Sequence, residues 1–166
     1  MRIVVPYTRL RDETVEAVRA FSHSHPIHYV YVGDHDEQLF EIWQWIWDAQ
    51  EDTVVVEHDI VIGPDTITGF EACPELWCAH SYRYSIFGDY AGTGCVRFRG
   101  ELMEKTPDLW HRVGLHSGPH HPPRHWCSLD GYAQLELSAY GHRQCKHEPS
   151  VTHLDESNSH GCVATV

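Results

Sequence analysis

The sequence predicts an α/β fold with a mostly parallel β-sheet flanked by helices. Short β-branched runs alternate with amphipathic segments from the start of the chain, and the first strand is predicted at 2–6. The run that begins at Thr53 continues with Val54, Val55 and Val56. A continuous apolar run of this kind is typical of a parallel strand that is covered on both faces. Strands and helices that alternate at this spacing favour right-handed βαβ units, and therefore a Rossmann-like sheet.

Each element follows from the spacing of its apolar residues. Helices are predicted where apolar residues recur every three or four positions, and strands where they alternate or run together. Gly141 closes the last predicted helix as a C-terminal cap. The predicted helices are 11–22, 36–50, 65–73 and 128–141, and the predicted strands are 2–6, 27–33, 53–59 and 76–82, with a glycine-rich turn entering a further strand at 87–98.

Length and composition indicate one compact domain. A chain of 166 residues has the length of a single domain, which we place at 1–154 with a polar, mobile tail at 155–166. No apolar run approaches the roughly 20 residues of a membrane span, and no signal peptide is recognisable. We therefore expect a cytoplasmic protein without a membrane partner. The six cysteines form no C-x-x-C and are expected to be reduced, mostly buried thiols.

Charge argues against a nucleic-acid-binding function. The formal net charge is −12, and no lysine or arginine lies between Arg19 and Arg83. A protein that grips a nucleic-acid backbone without sequence preference needs a basic stripe. The first half of this chain has none.

Two acidic residues follow the valine run of the third strand. Burying a charge costs free energy unless the charge is paired, hydrated or bound to a metal. If the strand stays regular, Glu57 and Asp59 share one face while His58 points away. Two carboxylates aimed at one point repel unless a cation lies between them, and a hard ion such as Mg²⁺ or Mn²⁺ suits them. Ligands gather at the carboxyl ends of strands in such sheets, which predicts a metal site here.

Together with three later motifs, E-H-D at 57–59 resembles the pattern of small GT-A-fold glycosyltransferases of bacterial and phage type. E-H-D resembles their D-x-D motif with glutamate in the first place, and G-T-G, with Gly92 and Gly94, resembles their acceptor loop. S-L-D-G-Y at 128–132 resembles their x-E-D segment, and His153 resembles the late histidine that completes their metal site. The resemblance covers 1–154.

This resemblance implies a divalent-metal-dependent glycosyltransferase that moves a sugar from a nucleotide-sugar donor to an acceptor hydroxyl. The chain departs from the family in two ways. Leu129 stands where the family's glutamate is usual, which leaves Asp130 as the acid of that segment. The chain is also short for the fold, so we expect no added acceptor-binding domain. Asp130 is implied as the general base, with a structural capping role as an equal alternative. Its place at the start of a helix would keep its carboxylate ionised.

The resemblance also implies binding residues for the donor and the metal. The metal, Mn²⁺ or Mg²⁺, would neutralise the departing nucleoside diphosphate as a Lewis acid. A solvated surface position is the alternative for each arginine. The implied metal ligands are Asp59, His153 and Glu57, and the implied donor-binding residues are Glu57, Asp59, Arg9 and Arg97.

The sequence leaves alternatives open for the acceptor and for the role of the histidine-rich segment 111–127. A hydroxymethylated base of phage DNA is one possible acceptor, but the charge favours a small-molecule, glycan or protein hydroxyl. The segment 111–127 supports a different function, that of a non-catalytic metal-binding or interaction protein. Prolines interrupt it and it contains no H-E-x-x-H, so we favour a lid or a plain loop. Its potential zinc or nickel ligands are His116, His120, His121, His125 and Cys127.

Overall fold

A mixed β-sheet organises the part of the chain that the structure describes. The computed structural model describes residues 1–33, 35, 37–84, 88–117 and 123–154. Its strands are β1 (Arg2–Tyr7), β2 (Ile27–Tyr31), β3 (Thr53–Val56), β4 (Ile60–Val61), β5 (Trp77–Tyr84), β6 (Gly88–Tyr90), β7 (Cys95–Phe98) and β8 (Cys145–His153). Its helices are α1 (Asp12–Phe21), α2 (Gln38–Asp48), α3 (Pro64–Ala72), α4 (Gly100–Lys105), α5 (Leu109–Val113) and α6 (Trp126–Ala139).

The sheet is mixed, where the sequence predicted a mostly parallel one. The strand order is β2-β1-β3-β7-β5-β8-β4, and β6 pairs with β5. β1 runs parallel to β2 and β3, and β5 runs parallel to β8. The pairs β3–β7, β5–β7, β5–β6 and β4–β8 are antiparallel. A parallel connection needs a crossover of a dozen or more residues, and the links between β5, β6 and β7 are too short for one.

Helices cover both faces of this sheet and enclose two apolar layers. Successive residues of β3 alternate between the layers, with Val55 in one and Val54 and Val56 in the other. The first layer packs α2, α4, α5 and α6 against the sheet, and the rings of Trp43 and Trp110 stack there 5.1 Å apart. The second layer packs α1 and α3. Among the described residues, no helix combines the length and the apolar character needed to cross a membrane.

Several predicted boundaries need correction. β3 ends at Val56 rather than at residue 59, and the predicted loop at 111–126 begins later because α5 continues to Val113. α5 is amphipathic and buries Leu109, Trp110 and Val113. The predicted tail at 155–166 lies outside the described residues. The described cysteines with assigned side chains, Cys73, Cys78, Cys95 and Cys145, are free, and all but Cys145 are buried.

Candidate active site

The chain turns sharply at the end of β3, where the sequence places its two acids. The backbone N–H of Glu57 donates to the carbonyl of Gly94 (2.8 Å), and the N–H of Ile60 donates back to the carbonyl of Glu57 (3.0 Å). The first bond continues the pairing of β3 with β7, and the second closes a turn that ends the strand. The expectation that strand alternation aligns Glu57 with Asp59 is therefore wrong. The turn nevertheless keeps the carboxylates close enough for the charge of Asp59 to raise the pKa of Glu57.

Strand pairing brings Asp59 and His153 together. β4 and β8 are antiparallel with Ile60 opposite His153, and the N–H of Leu154 donates to the carbonyl of Asp59 (2.8 Å). Nε2 of His153 lies 3.3 Å from Oδ2 of Asp59, and both side chains are more than nine-tenths buried. The ring of Tyr82 stacks on the His153 ring, with centroids 5.5 Å apart. Two residues that the sequence predicted as metal ligands are therefore in direct contact.

Asp59 is held as a carboxylate. Burial alone would raise its pKa, but the hydrogen bond and charge of His153, together with His58, lower the pKa below its usual value. Its Oδ1 atom is buried and, among the described residues, has no hydrogen-bond partner. A buried oxygen without a partner is costly in a folded protein and calls for an explanation. This oxygen is available to a cation.

Thr93 connects the other two acids. Its backbone N–H donates to Oδ2 of Asp130 (3.0 Å), and its hydroxyl donates to Oδ1 of the same carboxylate. A side-chain hydrogen bond also joins Thr93 to Glu57. We call Glu57, Asp59 and Asp130 the acidic cluster. It is built by the turn after β3, the loop before β7 and helix α6.

Burial dominates the electrostatics of Glu57 and Asp130. It raises the pKa of Glu57 well above its usual value, and the charges of Asp130 and Asp59 raise it further. Burial also raises the pKa of Asp130, partly offset by the two hydrogen bonds from Thr93. The expected helix-start position of Asp130 is wrong, because α6 begins at Trp126 and Asp130 is in its second turn. It therefore does not cap its own helix, and it accepts hydrogen bonds from the neighbouring loop.

The predicted acceptor loop lies against the acidic cluster. The carbonyl of Gly94 accepts the bond from Glu57, and a Cβ at Gly94 would lie 3.1 Å from the Tyr82 ring. Glycine permits this close approach. Gln134 of α6 donates to the carbonyl of Ala91 (3.0 Å), just before Gly92. The loop is thus fixed on both sides.

The two arginines predicted for donor binding have different surroundings. Arg97 is only 1% exposed on β7, and its guanidinium donates to the carbonyls of Glu75 (2.5 Å) and Cys73 (3.4 Å). The prediction that Arg97 binds the donor is therefore corrected. Its guanidinium is buried and bonded to backbone carbonyls beyond the end of α3, so it does not reach the donor edge. Arg9 is exposed directly after β1. β1 and β3 are parallel, and Arg9 and Glu57 come after their carboxyl ends. The two residues therefore lie at the same edge of the sheet.

Sequence reasoning missed two features at this edge. Tyr7 and Tyr31 end β1 and β2, pair in the parallel register, and place their rings 5.6 Å apart. The sequence signal that could have identified this pair was an aromatic residue at the carboxyl end of each of two adjacent strands. The second feature is Thr93, which lies at the centre of the G-T-G motif.

One histidine of the segment 111–127, His116, has a structural role. Nε2 of His116 lies 2.5 Å from Oε1 of Glu136, and the His116 ring stacks on Tyr132 with centroids 4.6 Å apart. His120 and His121 lie outside the described residues. Among the described residues, one group of three potential metal ligands has its ligand atoms within 4.8 Å of one another. This group lies elsewhere, at Cys73, Cys145 and His147.

The residues around Asp59 suit a hard divalent cation. Asp59 offers a free buried oxygen, and His153 adds an imidazole at its side. Glu57 is near enough to interact electrostatically with Asp59, although the three side chains form no tight ligand set. Mg²⁺ and similar ions are often held by one or two protein ligands and keep their other positions for water and substrate phosphates.

Comparison with solved structures identifies the fold. A glycosyltransferase involved in the glycosylation of the major capsid of PBCV-1 is similar with a TM-score of 0.59 at 16% identity, covering 94% of this chain and 93% of that chain. The chain shares the fold of a glycosyltransferase. A197 from STIV is similar with a TM-score of 0.54 at 12% identity, covering 91% of this chain and 83% of the other. No family model matches the sequence, and no curated protein is significantly similar to it.

Proposed function

We propose that this protein is a divalent-metal-dependent glycosyltransferase that moves a sugar from a nucleotide-sugar donor to an acceptor hydroxyl. The observation that carries the proposal is the contact between Asp59 and His153, made across β4 and β8 at the carboxyl end of β3. Open α/β sheets bind ligands at such edges. The similarity to the PBCV-1 glycosyltransferase supports the class of reaction.

The donor would bind along the edge formed by the ends of β1, β2 and β3. Asp59 and His153, with Glu57 beside them, would hold Mn²⁺ or Mg²⁺, which when bound offsets the charge of the departing diphosphate. An acidic cluster would repel that diphosphate without such compensation. Arg9 would add positive charge from the loop after β1, and the rings of Tyr7 and Tyr31 offer an apolar surface to the nucleoside.

Asp130 would accept the proton of the acceptor hydroxyl. A general base works best when its pKa lies near the working pH, and burial raises the pKa of Asp130 towards that range. Thr93 fixes the orientation of the carboxylate with two hydrogen bonds. The loop with Gly92 and Gly94 lies beside Asp130 and would border the acceptor.

For the acceptor we favour a small-molecule, glycan or protein hydroxyl. The net charge of −12 opposes binding to a polyanion. A protein acceptor is in keeping with the capsid glycosylation stated for the PBCV-1 enzyme. A hydroxymethylated DNA base is the second choice.

The test is donor turnover without an acceptor. The full chain is incubated with a panel of nucleotide sugars in Mn²⁺, Mg²⁺ or EDTA, and the released nucleoside diphosphate is measured. We expect one donor to be hydrolysed only with metal, and His153→Ala to reduce this release at least about tenfold, whereas exposed His111→Ala leaves it unchanged. If no donor is turned over, or if EDTA has no effect, the proposal is wrong.

A further inference from the structure

A second group of metal-binding side chains lies on the sheet face that is covered by α3. The pattern C-x-H occurs twice, at 78–80 in β5 and at 145–147 in β8. Residues two apart in a strand share a face. The parallel register places Cys78 opposite Cys145 and His80 opposite His147, so the four side chains form a square. Cys73, at the C-terminal cap of α3, completes what we call the Cys/His cluster, namely Cys73, Cys78, His80, Cys145 and His147.

Three members of the Cys/His cluster lie at distances close to those of a metal site. The ligand atoms of Cys73, Cys145 and His147 all lie within 4.8 Å of one another. The thiols of Cys145 and Cys78 both hydrogen bond to the Cys73 sulfur. Tetrahedral zinc sites combine Cys sulfur and His nitrogen at about 2.0–2.3 Å from the ion, which places neighbouring ligand atoms just under 4 Å apart. Small side-chain adjustments separate the observed arrangement from that geometry.

The histidines of the Cys/His cluster carry buried nitrogens that the described residues leave without hydrogen bonds. Nε2 of His147 and Nε2 of His80 are both in this state. Nδ1 of His80 lies 2.8 Å from the carbonyl of Pro149, which can only accept, so Nδ1 carries the proton and Nε2 keeps its lone pair. A Cβ at Gly69 would lie 3.6 Å from Nδ1 of His147 and 3.7 Å from Nε2 of His80. α3 therefore packs over both histidine rings at Gly69.

We propose that the Cys/His cluster is a structural zinc site with Cys73, Cys145 and His147 as three ligands and Cys78 as the fourth. Three thiolates and one zinc ion leave one net negative charge. The guanidinium of Arg97, which is buried and hydrogen bonded to Cys78, offsets it. The ion would tie the end of α3 to β5 and β8. His153 is six residues further along β8, so this site is separate from the one at Asp59.

Zinc binding at this site is coupled to proton release. A free cysteine is mostly a protonated thiol near neutral pH, whereas zinc binds the thiolate. Zinc must displace the thiol protons, as in other cysteine sites.

The test uses cobalt as a spectroscopic substitute for zinc. The reduced full chain is stripped with chelator and titrated with Co²⁺. We expect one equivalent to produce a thiolate-to-cobalt charge-transfer band and the intense visible bands of tetrahedral Co²⁺, both removed by one equivalent of Zn²⁺. Zinc should raise the Tm by roughly 5 °C or more.

Variants identify the ligands. Cys145→Ser, at the half-buried position, should abolish the charge-transfer band and the zinc-dependent Tm shift. Cys95→Ala should retain both, because Cys95 is a buried thiol on β7 and lies outside the Cys/His cluster. Absence of the band in the reduced wild-type chain would overturn the proposal, and so would a Cys73–Cys145 disulfide in metal-free protein or an unchanged band in Cys145→Ser. Carboxylate and imidazole ligands at Asp59 and His153 give no thiolate band, so this result is independent of the proposed glycosyltransferase activity.

Discussion

At the scale of single residues, hydrogen bonds rather than strand geometry hold the acidic cluster. Thr93 is 3% exposed and links Asp130 of α6 to Glu57 after β3. Asp59 is turned towards β8 by its own backbone bond to Leu154. Glu57 and Asp130 therefore share Thr93, whereas Asp59 is paired with His153. The pKa of Glu57 is raised while that of Asp59 is lowered, although the two residues are separated only by His58.

The raised pKa of Glu57 predicts a pH-dependent stability effect in the metal-free protein. Folding favours the protonated side chain, so its contribution is present below the usual pKa and is lost as the pH rises through the raised pKa. Glu57→Gln should therefore stabilise the metal-free chain by about 1 kcal/mol or more near pH 8, with little difference near pH 4. Urea unfolding in EDTA measures this, with the exposed Glu16→Gln as control. A Glu57→Gln variant that is less stable than wild type near pH 8 would contradict the assignment.

At the scale of secondary-structure elements, the sequence predicts the first half of the fold well. β1, α1, β2, α2 and the start of β3 each carry the apolar spacing of their type, because each buries one face or both. β8 was not predicted as a strand, since Lys146, Glu148 and Pro149 interrupt any apolar alternation. It forms because β5 and β4 pair with it. Such pairing partners are distant in sequence and leave no local pattern.

The residues of the candidate site were predictable only in part. The resemblance to GT-A-fold glycosyltransferases pointed to Asp59 and His153, whose contact the structure shows. The burial of Arg97 was not predictable, because arginine is rarely buried without partners and its partners are backbone carbonyls of Cys73 and Glu75. Backbone carbonyls are present at every position, so a sequence cannot mark the two that Arg97 uses.

A buried carboxylate of α6, that of Glu136, adds polar contacts to the apolar packing of α5 against α6. Glu136 is 6% exposed and accepts hydrogen bonds from Arg112 (2.6 Å) and His116 (2.5 Å). Burial opposes its ionisation, but these two partners lower its pKa below the usual value. Its stabilising contribution is therefore present above the usual pKa and is lost as the pH falls through the lowered one.

We predict that Glu136→Gln destabilises the protein by about 1–2 kcal/mol near neutral pH. The difference from wild type should shrink as the pH falls below about 4. Thermal and urea unfolding at both pH values measure it. Glu101→Gln is the matched control, because Glu101 forms an exposed pair with Lys105 and should change stability little. A loss that is equal at both pH values would show that the charge of Glu136 is not responsible.

At the scale of the whole molecule, the distribution of charge limits the acceptor. The arginines from residue 83 onwards are Arg83, Arg97, Arg99, Arg112, Arg124 and Arg143. Four of them have other partners. Arg97 and Arg99 donate to the Cys73 carbonyl, Arg112 pairs with Glu136, and Arg124 lies 3.6 Å from Glu37.

We therefore predict weak binding to unmodified duplex DNA. Each neutralised phosphate contributes about 0.9 to the slope of log affinity against log salt, so the slope should stay below about 2. Fluorescence anisotropy with labelled duplex across a salt series measures both quantities. Submicromolar binding at physiological salt with a steep slope would make DNA the leading acceptor.

The most direct test of the account is the dependence of nucleotide binding on Asp59. Isothermal titration calorimetry compares a panel of nucleoside diphosphates with and without Mn²⁺ in three proteins: wild type, Asp59→Asn and Asp65→Asn. Asp65 is exposed in the first turn of α3 and serves as the matched control. The account predicts Mn²⁺-dependent binding in wild type and in Asp65→Asn, and a loss of at least about tenfold, or 1.4 kcal/mol, in Asp59→Asn. Equal affinity in wild type and Asp59→Asn would contradict it.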